Sequence, residues 1–465
     1  MTGGAVAPPG PARVRVRMYN VGFGDCFLLT FEYPNALPDG RAVRHVLIDF
    51  GSTSAPLRGP TAADIAAQIK TDSDGGAIDA VVVTHRHRDH LSSFGTAAIA
   101  STMMADGYPK LVVRSWTERP DAATDATADP AAARGAGLAT ALQTATDFAG
   151  TLAQALADPS RRSLAGELRT LAEHQLPNAA AVDQLAAWAG GNGEYLHYGQ
   201  PSRLADLLPG VTVHVLGPPT VEQHPAVAGQ ASDDPDEFWM IYRGLVDGLP
   251  VGPGAAPALG AAPAQAPIGP PGPIRWLTDR MQRQSLNSLL RIVRTLDTVL
   301  NNTSVILLFE VPTAGGPPRR LLFGGDAQIE NWEYALKFAP ECDANLDRLR
   351  AVDLYKVGHH GSRNATPRTL FNLWNEAGTK GRPMWALMST KPGVHGDSEA
   401  TKVPRATLVE ALCTRATLYS TQDLAAPSTF VELVADLATP GAPVFTETTG
   451  AVPVNAGGAD HADTG

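Results

Sequence analysis

The sequence predicts a layered α/β fold, and three observations carry that reading. Short apolar runs, some alternating with period two, recur in both halves of the chain. Segments with helical periodicity separate some of these runs, while other gaps are only hairpin-long. The 465 residues are 44% hydrophobic and 18% charged, which is enough to build a sizeable core. Packed layers of sheet and helix fit this mixture better than a strictly parallel doubly wound sheet.

The elements follow in chain order. VRVRMYNV alternates apolar and polar residues from Val14, and FLLTFEY and HVLIDFGS read as further strands. ADIAAQIK reads as a helix, and AIDAVVVTH as a buried strand. In the second half TVHVLGPP, SVILLFEV, RRLLFGGD, VDLYKVGHH and MWALMST read as strands, with IENWEYALKF and VPRATLVEALC as helices. Two insertions interrupt the pattern. Residues about 118–205 are alanine-rich and helical in character, with WAGG at 188–191 as a helix stop. Residues about 220–300 contain PVGPGAAPALGAAPAQAPIGPPGPI, a low-complexity loop, then a helix with Leu286, Leu289, Leu290, Val293 and Leu300 on one face. Asn301 and Asn302 end that helix. Residues 1–12 and 441–465 read as loose tails, leaving one domain over about 13–440.

Composition narrows the function classes. The 37 basic and 47 acidic residues leave a formal charge of −10, so nothing global attracts nucleic acid or anionic membrane. Cys26, Cys342 and Cys413 lie far apart with no CxxC pair, which argues against a disulfide framework or a cysteine zinc site. MTGGAVAPPGPARVRVR lacks the apolar core of a signal peptide, and no run approaches the roughly 18 apolar residues of a membrane span. The expectation is a soluble, cytoplasmic protein. GxSxG, Walker A and strand-borne GxGxxG motifs are missing.

The chemistry sits in THRHRDH, which places three histidines and an aspartate in six residues behind an apolar run. If the backbone stays extended, His85 and His87 point the same way, because side chains alternate at period two. Asp89 and His90 then lie at the turn into a helix. Together they make half of each of two adjacent metal sites, with donors suited to zinc, iron or manganese. The remaining donors should come from other strand ends: Asp326 in GGD, His359 and His360 in GHHGS, and His395 in KPGVHGDS.

THRHRDH resembles the HxHxDH signature of the metallo-β-lactamase-fold hydrolases. VGFGDCFLLTF, VLIDFGS, NNTSVILLF, LLFGGDA and LYKVGHHGS are similar, in order, to motifs of the ComEC-type soluble hydrolase domain and the phosphorylcholine esterases of that fold. The resemblance spans roughly residues 13–420 and implies a four-layer αβ/βα sandwich. It implies two divalent metals, zinc foremost, with manganese or iron as alternatives. His85 and His87 would bind one metal with a histidine of the His359–His360 pair. Asp89 and His90 would bind the second with His395, and Asp326 would bridge both. The other histidine of the pair would donate a proton to the leaving group, Asp49 would orient a ligand histidine, and Lys356 and Ser362 would contact substrate. KPGVHGDS departs from the family's tyrosine–glycine–histidine–proline stretch, and His214 is a strand-borne alternative to His395.

The expected activity is hydrolysis by a metal-bound hydroxide, with Asp89, His359 and His360 in the catalytic machinery. A phosphodiester or related phosphoester is the first substrate class, with Arg86, Arg88, Lys356 and Arg363 as basic groups near the site. The acidic total favours small phosphoesters over long nucleic acids. The alternatives are a hydrolase of lactones, thioesters or β-lactams on the same site, and a non-catalytic metal-stabilised scaffold.

Overall fold

The computed structural model describes residues 10–56, 59–119, 178–220, 222–224, 301–362, 364, 366–379, 381–391, 393–394, 402–424 and 427–454. The strands in chain order are β1 (Arg13–Tyr19), β2 (Cys26–Glu32), β3 (Val43–Phe50), β4 (Ala80–Val82), β5 (Leu111–Ser115) and β6 (Gly193–Leu196). They continue with β7 (Thr212–Gly217), β8 (Ile306–Thr313), β9 (Gly316–Phe323), β10 (Leu354–Lys356), β11 (Trp385–Met388) and β12 (Thr417–Ser420). β13 (Phe430–Asp436) and β14 (Thr446–Glu447) complete the set among the described residues.

These strands form two mixed sheets, ordered β14-β13-β1-β2-β3-β4-β5-β6 and β12-β11-β10-β9-β8-β7. Each has an antiparallel part and a parallel part: β3 to β6 run parallel in the first, and β9 to β12 in the second. Their inner faces pack on each other. Phe27 meets Phe323 edge-on at 5.7 Å between ring centroids, and Phe31 lies 6.2 Å from Phe309. Val14, Val16 and Met18 of β1 point into this core while Arg13, Arg15 and Arg17 alternate outward, as the period-two pattern requires.

Helices cover both outer faces. Ile65 and Ile69 from the helix Ala62–Asp72, with Met103 and Leu185, pack on Leu28, Leu47 and Val81. Trp332, Leu349, Trp374 and Leu412 pack on Ile306, Leu322 and Tyr355. The layers therefore run helix, sheet, sheet, helix. The first helix opens with a capping box in which Asp64 N–H donates to Thr61 Oγ1 at 3.2 Å and Thr61 N–H donates to Asp64 Oδ2 at 2.8 Å. Among the described residues no helix is long and apolar enough to cross a membrane.

Several segments differ from the sequence reading. Within 118–205, residues 120–177 lie outside the described residues, but 193–196 form β6, the edge strand beside β5, rather than more helix. The helix Ala179–Ala189 does stop at WAGG, with Gly190 in the left-handed region at φ 47°. Residues 225–300, with the glycine-rich loop and the Leu286–Leu300 helix, lie outside the described residues. Residues 441–454 are not a loose tail: Phe445 is buried, Thr446–Glu447 pair with β13, and Val454 N–H donates to Leu418 O at 2.8 Å. IENWEYALKF starts as α-helix over Ile329–Glu333 and widens into a π-helical turn over Tyr334–Phe338.

One glycine sets how closely the sheets approach at the strand ends. Gly325 has φ +53°, and a Cβ there would lie 2.7 Å from Thr84 Cβ. Gly325→Ala is expected to destabilise the protein by about 2–3 kcal/mol, combining backbone strain with a steric clash. The urea midpoint measures this, and a loss below about 0.5 kcal/mol would show that the contact yields freely.

Candidate metal centre

The site lies where the parallel strands of both sheets end. β4 gives way at Thr84 to the motif, and a short helix, Arg88–Leu91, begins inside it. Asp49, just before the end of β3, adopts φ 56° and turns its carboxylate onto this loop. It accepts Thr84 N–H at 2.8 Å and Thr84 Oγ1–H at 2.7 Å, and its Oδ2 lies 2.8 Å from His90 Nδ1. The opposite nitrogen, His90 Nε2, lies 3.1 Å from Asp326 Oδ2 in the loop after β9.

The loop after β10 brings the last imidazole of this group. His359 and His360 both adopt left-handed backbone, φ 43° and 53°. His360 Nδ1 is held 2.9 Å from Ser389 O beyond β11, and Nε2 lies 2.9 Å from Asp89 Oδ2 and 3.9 Å from Asp326 Oδ2. Asp89, His90, Asp326 and His360 are all buried, with ligand atoms close enough to surround one ion. His85 Nε2 and His87 Nδ1, 2.9 Å apart, form a second pair of donors beside them.

The residues fit a divalent metal on three counts. Donors bound at about 2.0–2.1 Å in tetrahedral geometry sit roughly 3–3.5 Å apart, the scale of the separations above. His90 Nε2 and Asp326 Oδ2 are buried facing each other at 3.1 Å, the spacing of two ligands of one ion. In both His90 and His360 the far nitrogen is fixed by a carboxylate or a backbone carbonyl, the support that metal-binding imidazoles use.

Electrostatics sort the imidazoles. Burial, with His90 and His87 nearby, holds His85 well below the ordinary histidine range, and burial lowers His87 too. Both are therefore neutral, the form that binds a metal. Burial also works against charge on His90, yet the carboxylates of Asp326, Asp49 and Asp89 outweigh it and raise its pKa well above the usual range. Conversely, His90 and Lys356 overcome the burial of Asp326 and hold its carboxyl well below the usual carboxylate range.

The sequence-predicted residues come together with exceptions. His360 joins Asp89, His90 and Asp326 rather than His85 and His87. The left-handed turn and the anchor at Ser389 O decide that, and spacing carries no trace of either. His359 is the less buried of the two. Its N–H donates to Asp326 Oδ1 at 2.9 Å, and its Nδ1 is 2.9 Å from Ser362 Oγ, so Ser362 holds His359 rather than facing outward as a substrate contact. His395 and Arg363 lie outside the described residues. His214 is away from the centre, paired on β7 with Glu310 at 2.9 Å.

Two basic groups are also corrected. Lys356, expected to contact substrate, is 2% exposed, and its ammonium donates to Gly325 O at 3.0 Å and contacts the Asp25 and Asp326 carboxylates. Arg86 makes a buried two-pronged pair with Glu118, at 2.8 and 2.5 Å. Arg88 stays partly exposed at the start of the short helix. Asp25 was missed by the sequence reading. It is fully buried in the turn before β2, within 3.7 Å of His360 Nδ1 and 3.6 Å of His90 Nδ1. The signal was available, since Gly24-Asp25 before an apolar strand has the same glycine–carboxylate form as GGD.

Lys356→Met would leave the Asp25 and Asp326 carboxylates buried without their cation, and a loss of about 3–5 kcal/mol is expected in chemical denaturation. Chelator-treated protein is expected to gain about 2.7 kcal/mol when zinc is present at 100 times its Kd, read as a rise in Tm. Asp326→Ala should remove that rise. An equal rise in this variant would place the zinc elsewhere. Compared with known proteins, the chain matches no protein-family model and no curated protein.

Proposed function

We propose that this protein is a binuclear metal-dependent hydrolase of the metallo-β-lactamase superfamily that cleaves a phosphodiester or related phosphoester. One observation carries the reading: Asp89, His90, Asp326 and His360 converge, buried, beside His85 and His87, with the far nitrogens of His90 and His360 already fixed. A purely structural cluster of this kind would keep two imidazoles and two carboxylates buried together at a desolvation cost that their mutual pairing only partly offsets. The helix–sheet–sheet–helix layering supports the same superfamily, as do the motifs at the strand ends.

Divalent ions bound here would supply a Lewis acid and an activated water at neutral pH. The protein's own groups set the stage for that chemistry. Asp49 and Ser389 O orient His90 and His360, and Lys356 with the His359 N–H steadies the Asp326 carboxylate. His359, less buried than His360 and held through Nδ1 by Ser362, is positioned to protonate the departing oxygen. An open pocket beside the motif favours an anionic substrate. Arg114 and Arg119 line it beside the Arg86–Glu118 pair, and Arg114 stacks on Tyr195 at 4.9 Å from the ring centroid.

A panel of aryl phosphodiester, single-stranded DNA and acyl lactone, offered to the metal-loaded protein, tests the reading. Turnover is expected on the diester and abolished in His360→Ala. His359→Ala should lower kcat by about 10²–10⁴-fold while its metal content stays at the wild-type level. Turnover of the lactone alone would reassign the substrate class, and equal rates in wild type and His360→Ala would sink the metal-site assignment.

A further inference from the structure

His85 and His87 provide two donors, and of the histidine pair expected to complete them His360 lies with Asp89 while His359 is held through Nδ1 by Ser362. The group beside them is Asn301. Its side chain is fully buried and its carboxamide contacts the His87 ring through a group other than Oδ1, which makes no hydrogen bond of its own. The backbone around it is pinned to both sides of the centre. Val305 N–H donates to Thr84 O at 2.9 Å, Ser304 N–H to Asn301 O at 3.0 Å, and Asp326 N–H to Ser304 Oγ at 3.2 Å.

The next residue has a different task. Asn302 Nδ2 donates to Glu330 Oε2 at 3.0 Å, and Asn302 Oδ1 accepts Gln328 N–H at 3.3 Å. Asn331 Nδ2 closes the same loop on Ser304 O at 2.8 Å. Asn302 thus fixes the turn, and Asn301 is the carboxamide that the fixed turn presents to the histidine motif.

We propose that Asn301 is the third protein donor of the His85–His87 metal position, through its carboxamide oxygen, with Asp326 shared between that position and its neighbour. The proposal rests on the metal-binding reading above and deepens it, because it makes the two positions unequal. The Asp89–His90–His360 set brings two imidazoles and two carboxylates, counting Asp326. The His85–His87–Asn301 set brings two imidazoles, a neutral oxygen and the shared carboxylate. The first set neutralises more of a dication's charge and binds tighter. The second, with a neutral oxygen in place of a third imidazole, discriminates less in favour of zinc over manganese.

Chelator-treated full-length protein titrated with zinc chloride, and separately with manganese chloride, tests this by calorimetry and by elemental analysis after dialysis. Wild type is expected to take up two equivalents of zinc in two resolved steps. Asn301→Ala should weaken the second step by at least about tenfold and leave the first in place. Asn301→His should tighten the second step for zinc more than for manganese. Two unchanged steps in Asn301→Ala would overturn the proposal while leaving the metal centre standing. A single equivalent in wild type would overturn it as well. No binding in wild type would remove the metal-binding reading itself. Should Asn301→Ala lose its native circular dichroism, the near-isosteric Asn301→Asp decides. Its added charge should tighten the second step at least about tenfold, and an unchanged step would refute the role.

Discussion

Four carboxylates, Asp25, Asp49, Asp89 and Asp326, are buried within one small region, and compensating their charge is the constraint on which the rest of the centre depends. Each ionised group removed from water carries a penalty of several kcal/mol unless opposite charge and hydrogen bonds offset it. Lys356 answers Asp25 and Asp326 from beneath, His90 reaches Asp49 and Asp326 with its two nitrogens, and His360 answers Asp89. Each of these charges thus has an opposite partner within the protein. The network sets His90 Nε2 3.1 Å from Asp326 Oδ2, and a cation gains most between those facing atoms.

Such a network needs rigid delivery, and the two-sheet architecture provides it. Parallel strands end side by side, so loops distant in sequence arrive together at one edge of the sandwich. Backbone contacts then set the fine spacing. Asp25 N–H donates to Asp89 O at 2.9 Å, and Gly51 approaches Arg88 so closely that a Cβ would lie 2.5 Å from its carbonyl oxygen. The loops before and after the two nearest strands of the first sheet are thereby tied to the histidine motif. A shift of either would move a donor by an appreciable fraction of a metal–ligand bond.

The strands carrying the motifs were legible because each shows a plain apolar run with a turn signal behind it: AVVVTH, LLFGGD and LYKVGHH. β5, β6, β12, β13 and β14 were not read, being short, on an edge, or paired with residues hundreds of positions away. β13 matches β1 residue for residue from Arg13–Asp436 to Tyr19–Phe430, a register that no local window contains. Lys356 was misread for a related reason. A lysine next to a glycine–histidine loop suggests an exposed cation, but β10 is a central parallel strand covered on both faces, so its residues are buried whatever their polarity.

By itself the sequence determined the inventory: imidazoles at His85, His87, His90, His359 and His360, carboxylates at Asp49, Asp89 and Asp326, and apolar strands to present them. Ligand chemistry and strand periodicity are local properties, and local pattern carries them. Only the tertiary structure decided the pairings, with His360 beside Asp89, Asn301 beside His87, and Lys356 beneath Asp25. Those partners stand up to 331 residues apart, and strand order, loop handedness and burial bring them into contact. None of these is encoded in the spacing of any single motif.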